Sequence, residues 1–161
     1  MGKPRRPLDV PAARRAAADL ISRHPWTRAD LNRRLVRRGA PLDVAEAVVA
    51  ELTGRGYLDD AAFARRWVEA RGGRGYGPAR LRAELRAHGV TPAVVDAALT
   101  ALDADTELEQ ARVLARRRLA VLRRSRPDRA SARLADYLAR RGHRAEVVAR
   151  VVRELTGGRA P

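Results

Sequence analysis

The chain has 161 residues, 45% of them hydrophobic but only 4% aromatic, so its core has to be filled by Leu, Val and Ala, the material of helix-on-helix packing. With no cysteine, a disulfide framework and a thiolate metal site are excluded, and no apolar run approaches the roughly 20 residues of a membrane span. Its 34 Lys and Arg against 19 Asp and Glu leave a net charge of +15, which favours nucleic acid or an acidic protein surface as partner.

Residues 1–11 carry Lys3, Arg5 and Arg6 but no apolar stretch, and read as the tail of a cytoplasmic chain. A helix follows over Ala12 to Arg23. Thr27 then N-caps a second helix, with Asp30 as capping-box partner and Trp26 and Leu31 as hydrophobic staple. That helix opens LNRRLVRRGAPLDVAEAVVAEL from Leu31. Leu31 and Leu35 make one apolar stripe, Gly39 takes the left-handed position that ends the helix, and Val44, Val48 and Leu52 make a returning stripe.

Asp59 caps the next helix, Asp60 to Arg71, with Leu58 and Phe63 as its staple. Asp60 in the first turn complements the helix dipole. Residues Arg71 to Gly77, rich in glycine, read as a flexible loop. The pattern of Leu31 to Leu52 then recurs without a gap as LRAELRAHGVTPAVVDAALTAL from Leu81, turning at Gly89, with Thr91 and Pro92 as N-cap and first helical residue. A long helix from Asp105 to Arg123 carries the stripe Leu108, Ala111, Ala115, Leu119 and Leu122. After a polar turn over Arg124 to Asp128, the pattern appears a third time as LADYLARRGHRAEVVARVVREL from Leu134, turning at Gly142. The expected architecture is all-α: three tandem three-helix repeats over 12–57, 58–103 and 104–155, forming an elongated, curved array with tails at 1–11 and 156–161.

Nothing in this pattern is catalytic. His24, His88 and His143 lie far apart in sequence, show no metal-binding spacing, and read as solvated surface residues. Asp59 and Asp60 are explained by capping. The glycines 72, 73, 75 and 77 lack the Lys-Ser/Thr of a phosphate-binding loop and follow no strand. No cofactor or metal is expected. Charge is uneven: residues 1–57 carry +6, 58–103 carry +1 and 104–161 carry +8. Arginines crowd the second helix of the first two units (Arg33, Arg34, Arg37, Arg38; Arg82, Arg86) and the long helix (Arg112, Arg116, Arg117, Arg123, Arg124), while the third helices of the first two units carry Asp43, Glu46, Glu51 and Asp96. A recognition helix with acidic residues would be repelled by phosphate, which argues against base reading in a DNA groove.

GlyTyrLeuAspAsp with AlaAlaPheAla (Gly56 to Ala64), GlyProAlaArgLeuArgAlaGluLeuArgAlaHisGly (Gly77 to Gly89), SerArgHisProTrpThrArgAlaAspLeu (Ser22 to Leu31) and the ArgArgGly ending at Gly142 resemble the RecX family in order and spacing, over about Ala12 to Leu155. The resemblance implies three tandem three-helix repeats lying in the groove of the RecA–DNA filament, inhibiting its ATPase, coprotease and strand-exchange activities in recombination and repair without being enzymes. It implies a contact region at Arg71, Arg74, Tyr76, Arg80 and Arg86. Arg34, Arg38, Arg82, Arg117 and Arg124 join the candidate set. His143 departs from the family pattern, which tends to an apolar or aromatic residue there. The expected partners are RecA filaments and, weakly and without sequence preference, single- or double-stranded DNA. No membrane is expected, and the chain should be a monomer. The rival readings are a general sequence-independent DNA-binding helical protein and a helical scaffold for an acidic protein.

Overall fold

The computed structural model describes residues 7–125 and 127–157. Lys3, Arg5 and Arg6 of the expected N-terminal tail, and 158–161 of the C-terminal one, lie outside these. The described residues form nine α-helices and one 3-10 turn, with no strand among them: α1 Val10–Ile21, α2 Arg28–Arg37, α3 Leu42–Gly54, α4 Asp60–Gly72, α5 Pro78–Ala87, α6 Pro92–Leu99, α7 Ala104–Ser125, the turn Pro127–Arg129, α8 Ala130–Arg140 and α9 Ala145–Thr156.

Packing groups the helices in consecutive threes, each around its own apolar cluster. Leu31 and Leu35 meet Ala13, Ala17 and Val48 in the first. Leu81 and Leu85 meet Phe63, Val68 and Val95 in the second. Leu134 and Leu138 meet Ala115, Leu119 and Val151 in the third. These six leucines have no exposed surface. Each is thus worth roughly 1.5–3 kcal/mol of burial. The five-residue stripe of α7 is also buried throughout.

Each second helix ends alike. Gly39, Gly89 and Gly142 have φ of +98°, +74° and +87°. The following residue donates its N–H back to the carbonyl of Leu35, Leu85 or Leu138, the two-bond closure that needs a left-handed residue. The side chain after the glycine turns inward: Ala40, Val90 and His143 are all buried. His143 therefore occupies an interior position rather than the solvated one expected, and His88 is likewise half-buried. Only His24 is exposed.

The units meet end to end through their second helices. The start of α2 sits on the Gly89 turn of α5: the Thr27 hydroxyl donates to the His88 carbonyl at 2.6 Å, and Arg33 Nη2 donates to the Ala87 carbonyl at 3.0 Å. The start of α5 in turn sits on the Gly142 turn of α8, where Gly77 N–H donates to the Arg141 carbonyl at 2.8 Å and Ala79 N–H to the Gly142 carbonyl at 3.1 Å. Carbonyls left over at one helix end thereby satisfy donors at the start of the next, and the dipoles of α8, α5 and α2 run head to tail. At the far end, the Gly39 carbonyl accepts from Leu8 N–H at 3.0 Å.

Two expectations are corrected here. Arg71 and Gly72 belong to α4, and Gly73 to Gly77 are not a free loop: a Cβ on Gly77 would overlap the Gly142 backbone, and one on Gly75 would press on Leu114. Asp30 does not close a capping box. Thr27 accepts from Asp30 N–H at 3.1 Å, but the Asp30 carboxylate is turned to His88 Nδ1 at 2.6 Å and to Arg33 at 2.5 Å.

Candidate partner-binding surface

The candidate residues of the middle unit gather around Glu84. This carboxylate of α5 accepts from Arg71 through Nε at 2.9 Å and also through Nη2, from Arg80 Nε at 3.0 Å and from Trp67 Nε1 at 3.0 Å. Burial alone would raise its pKa; the hydrogen bonds from Arg71, Arg80 and Trp67 outweigh that and bring it down to about 2. Tyr76 is the platform beneath. The guanidinium carbons of Arg71, Arg141 and Arg80 lie 4.1, 4.6 and 4.9 Å from its ring centroid, and Arg141 and Arg118 also stack on Tyr137. An Arg–aromatic ladder therefore runs from Trp67 across the junction of the second and third units.

The candidate set divides accordingly. Arg71, Tyr76 and Arg80 are committed to this ladder, and Arg82 to an ion pair with Asp96. Arg38 lies 3.9 Å from Asp19, both partly exposed, a pairing worth little. Arg34, Arg74, Arg86, Arg117 and Arg124 are exposed and, among the described residues, engage no carboxylate. They do not converge on one point: Arg34 is on α2, Arg86 on α5, and Arg117 and Arg124 on α7. Arg74 and Arg117 are brought together, lining one cleft beside Gly73 and Gly75.

Sequence reading missed the acidic residues that hold the array. Asp60 is buried, and its two oxygens accept from Arg28 N–H at 2.9 Å and Arg28 Nε at 3.1 Å, tying α4 to the start of α2. Glu107 is wholly buried. It accepts from Arg144 N–H at 2.8 Å, pairs with Arg144 Nε at 2.7 Å and faces His143 Nδ1 at 3.4 Å, while His143 Nε2 donates to the Gly75 carbonyl at 3.1 Å. Burial pushes the Glu107 carboxyl up, but His143 and Arg144 outweigh it and hold it below the usual range. A signal was present: Glu107 stands four residues before Ala111 and eight before Ala115, in register with the apolar stripe. No group of acidic, His or Cys side chains among the described residues could hold a metal ion.

Against known proteins, the family model described as "RecX, second three-helix domain" matches residues 59–99, and "RecX, third three-helix domain" matches 105–152. The Regulatory protein RecX of Thermobifida fusca is 43% identical over 92% of this chain and 81% of its own length. That of Stenotrophomonas maltophilia strain K279a is 38% identical over 94% and 91%. A crystal structure of RecX from Lactobacillus salivarius superposes with a TM-score of 0.81 at 16% identity, covering 91% of this chain and 96% of that one. Another crystal structure, of a regulatory protein RecX, gives 0.82 at 24% identity over 88% and 72%.

Proposed function

This chain belongs to the RecX family, and on that premise we propose that it binds the RecA–DNA filament and restrains RecA's ATPase, coprotease and strand-exchange activities. It does so as a cytoplasmic monomer with no catalysis of its own, through units spanning about 12–57, 58–103 and 104–155. One observation carries the reading: five exposed arginines with no carboxylate partner among the described residues (Arg34, Arg74, Arg86, Arg117, Arg124) are spread over all three units of an array fixed end to end. Charge distributed this way suits a long anionic partner and not a small molecule. Arginine adds bidentate contacts to carboxylate or phosphate.

Co-sedimentation with preformed RecA–single-stranded DNA filaments, compared with DNA alone, tests it. The chain should pellet with filaments at concentrations where naked DNA captures little. Arg74→Ala with Arg86→Ala should weaken inhibition of the DNA-dependent ATPase more than Arg117→Ala with Arg124→Ala, although each pair removes two charges. Equal pelleting with DNA alone, with affinity falling linearly on a log–log plot against salt, would favour the rival of sequence-independent phosphate binding.

A further inference from the structure

One surface of the second unit reaches beyond the candidate set, sharing with it only Arg74 and, at its edge, Arg71. Ala62, Arg66, Ala70 and Arg74 follow one another at four-residue spacing along α4 and just past its end, so they share one face. Beside them Phe63, Trp67 and Ala70 floor a cleft of about 440 Å³ whose opposite rim is His24 and Pro25 of the first unit. The cleft continues past His24 and Phe63 into a second one that reaches exposed Tyr57. From Ala62 to Arg74 the trough runs about 18 Å, at 1.5 Å per helical residue. That matches about five residues of extended chain.

Its chemistry is one-sided. The floor is apolar and aromatic, Arg66 and Arg74 are exposed on its walls, and neither pairs with a carboxylate among the described residues. Arg71 at its edge is neutralised by Glu84. At the Tyr57 end stands Asp59, whose carboxylate is held by the Ala62 N–H at 2.9 Å. A nucleobase has no platform here. Trp67 is stacked on Phe63 with centroids 5.6 Å apart, has His88 edge-on at 4.5 Å, and lies beneath Arg71. What remains is a lined slot for an apolar side chain, with the guanidiniums of Arg66 and Arg74 along its α4 wall.

We propose that this trough, between His24–Pro25 and the Arg66–Arg74 face of α4, is a docking site for a short, extended acidic segment of the protein partner, one apolar side chain seated on Phe63, Trp67 and Ala70 and its carboxylates held by Arg66 and Arg74. The inference rests on the reading that the partner is a RecA filament. Both walls come from different units, so the occupant also bridges the first joint.

Fluorescein-labelled dodecapeptides tiling the RecA sequence, measured by anisotropy, test it together with filament co-sedimentation. The tiles that bind should be acidic with at least one large apolar residue. Arg66→Glu with Arg74→Glu should weaken them by about tenfold or more, through loss of two charge-assisted contacts. The charge-matched pair Arg133→Glu with Arg140→Glu, exposed on α8, should change binding by less than about twofold. All are surface positions, so helicity and unfolding midpoint should hold and certify the comparison. If wild type fails to pellet with filaments, the functional reading falls. If it pellets but no acidic tile binds, or both pairs weaken the tiles equally, the trough proposal alone falls. Labelled oligothymidylate bound with the same loss in the Arg66/Arg74 pair would likewise overturn it in favour of nucleic acid.

Discussion

The two joints of the array carry out the same docking with different materials. Where α2 meets α5, side chains make the connection: the Thr27 hydroxyl, the Asp30 carboxylate on His88, and Asp60 on Arg28. Where α5 meets α8, the backbones themselves touch. A Cβ on Gly77 would overlap the Gly142 backbone and one on Gly142 would overlap Arg80, and two of the hydrogen bonds run from backbone N–H to backbone carbonyl. Both joints are close, since a Cβ on Gly89 would overlap Ala29, but the first adds carboxylate contacts that charge and pH can tune, whereas the second adds direct backbone bonds. This contrast predicts that the second joint fails through volume and buried charge, and the first through titration.

Removal of the buried acid should have the largest effect. Glu107→Ala leaves Arg144 N–H without its acceptor and His143 facing a void, and should cost about 3–5 kcal/mol in urea unfolding. A near-neutral result would mean that the second joint does not lean on Glu107. Glycine replacements come next. Gly142→Ala incurs both the left-handed backbone cost, about 1–2 kcal/mol, and overlap with Arg80, for about 2–4 kcal/mol in all. Gly39→Ala has the same sign of φ but nothing within 4 Å of its Cβ, so it should lose only about 1–2 kcal/mol. Equal losses would remove the steric distinction. The smallest effect concerns the first joint. Burial alone would raise the Asp30 carboxyl, but hydrogen bonds from His88 and Arg33 hold it below its ordinary 3.8. A carboxyl depressed on folding contributes stability that is present above its unfolded pKa and lost as pH falls through the folded one. Acidification below about pH 4 should therefore narrow the stability gap between wild type and Asp30→Asn, read from urea midpoints at pH 6 and pH 3. A gap independent of pH would show that Asp30 acts there without its charge.

The fold was legible because it is local. Leu at i and i+4, then Gly, then a returning stripe describes a helix pair within some twenty residues, and the sequence states it three times over. The joints were not, because their partners stand 32 to 68 residues apart. Asp30, Asp60 and the glycines up to Gly77 each had a sufficient local explanation, as cap, dipole partner and loop, and tertiary packing overrode it. Arg71 and Arg80 were found as neighbours of a glycine-rich segment, but their commitment to Glu84 requires α4 and α5 to be brought side by side. Arg66 and Trp67 carry no signal in sequence, since the trough they line has its other wall in a different unit.

The joints also have a direction. Each places the start of one second helix on the glycine turn of the next, a contact between unlike surfaces, and such contacts contain no instruction to stop: repeated between molecules they build open filaments unless the rotation closes them into a ring. The exposed turn at Gly39 would be the growing tip. Its carbonyl instead accepts from Leu8 N–H, so the segment ahead of α1 covers there what the start of a second helix covers at the other two turns, as end repeats do in solenoids.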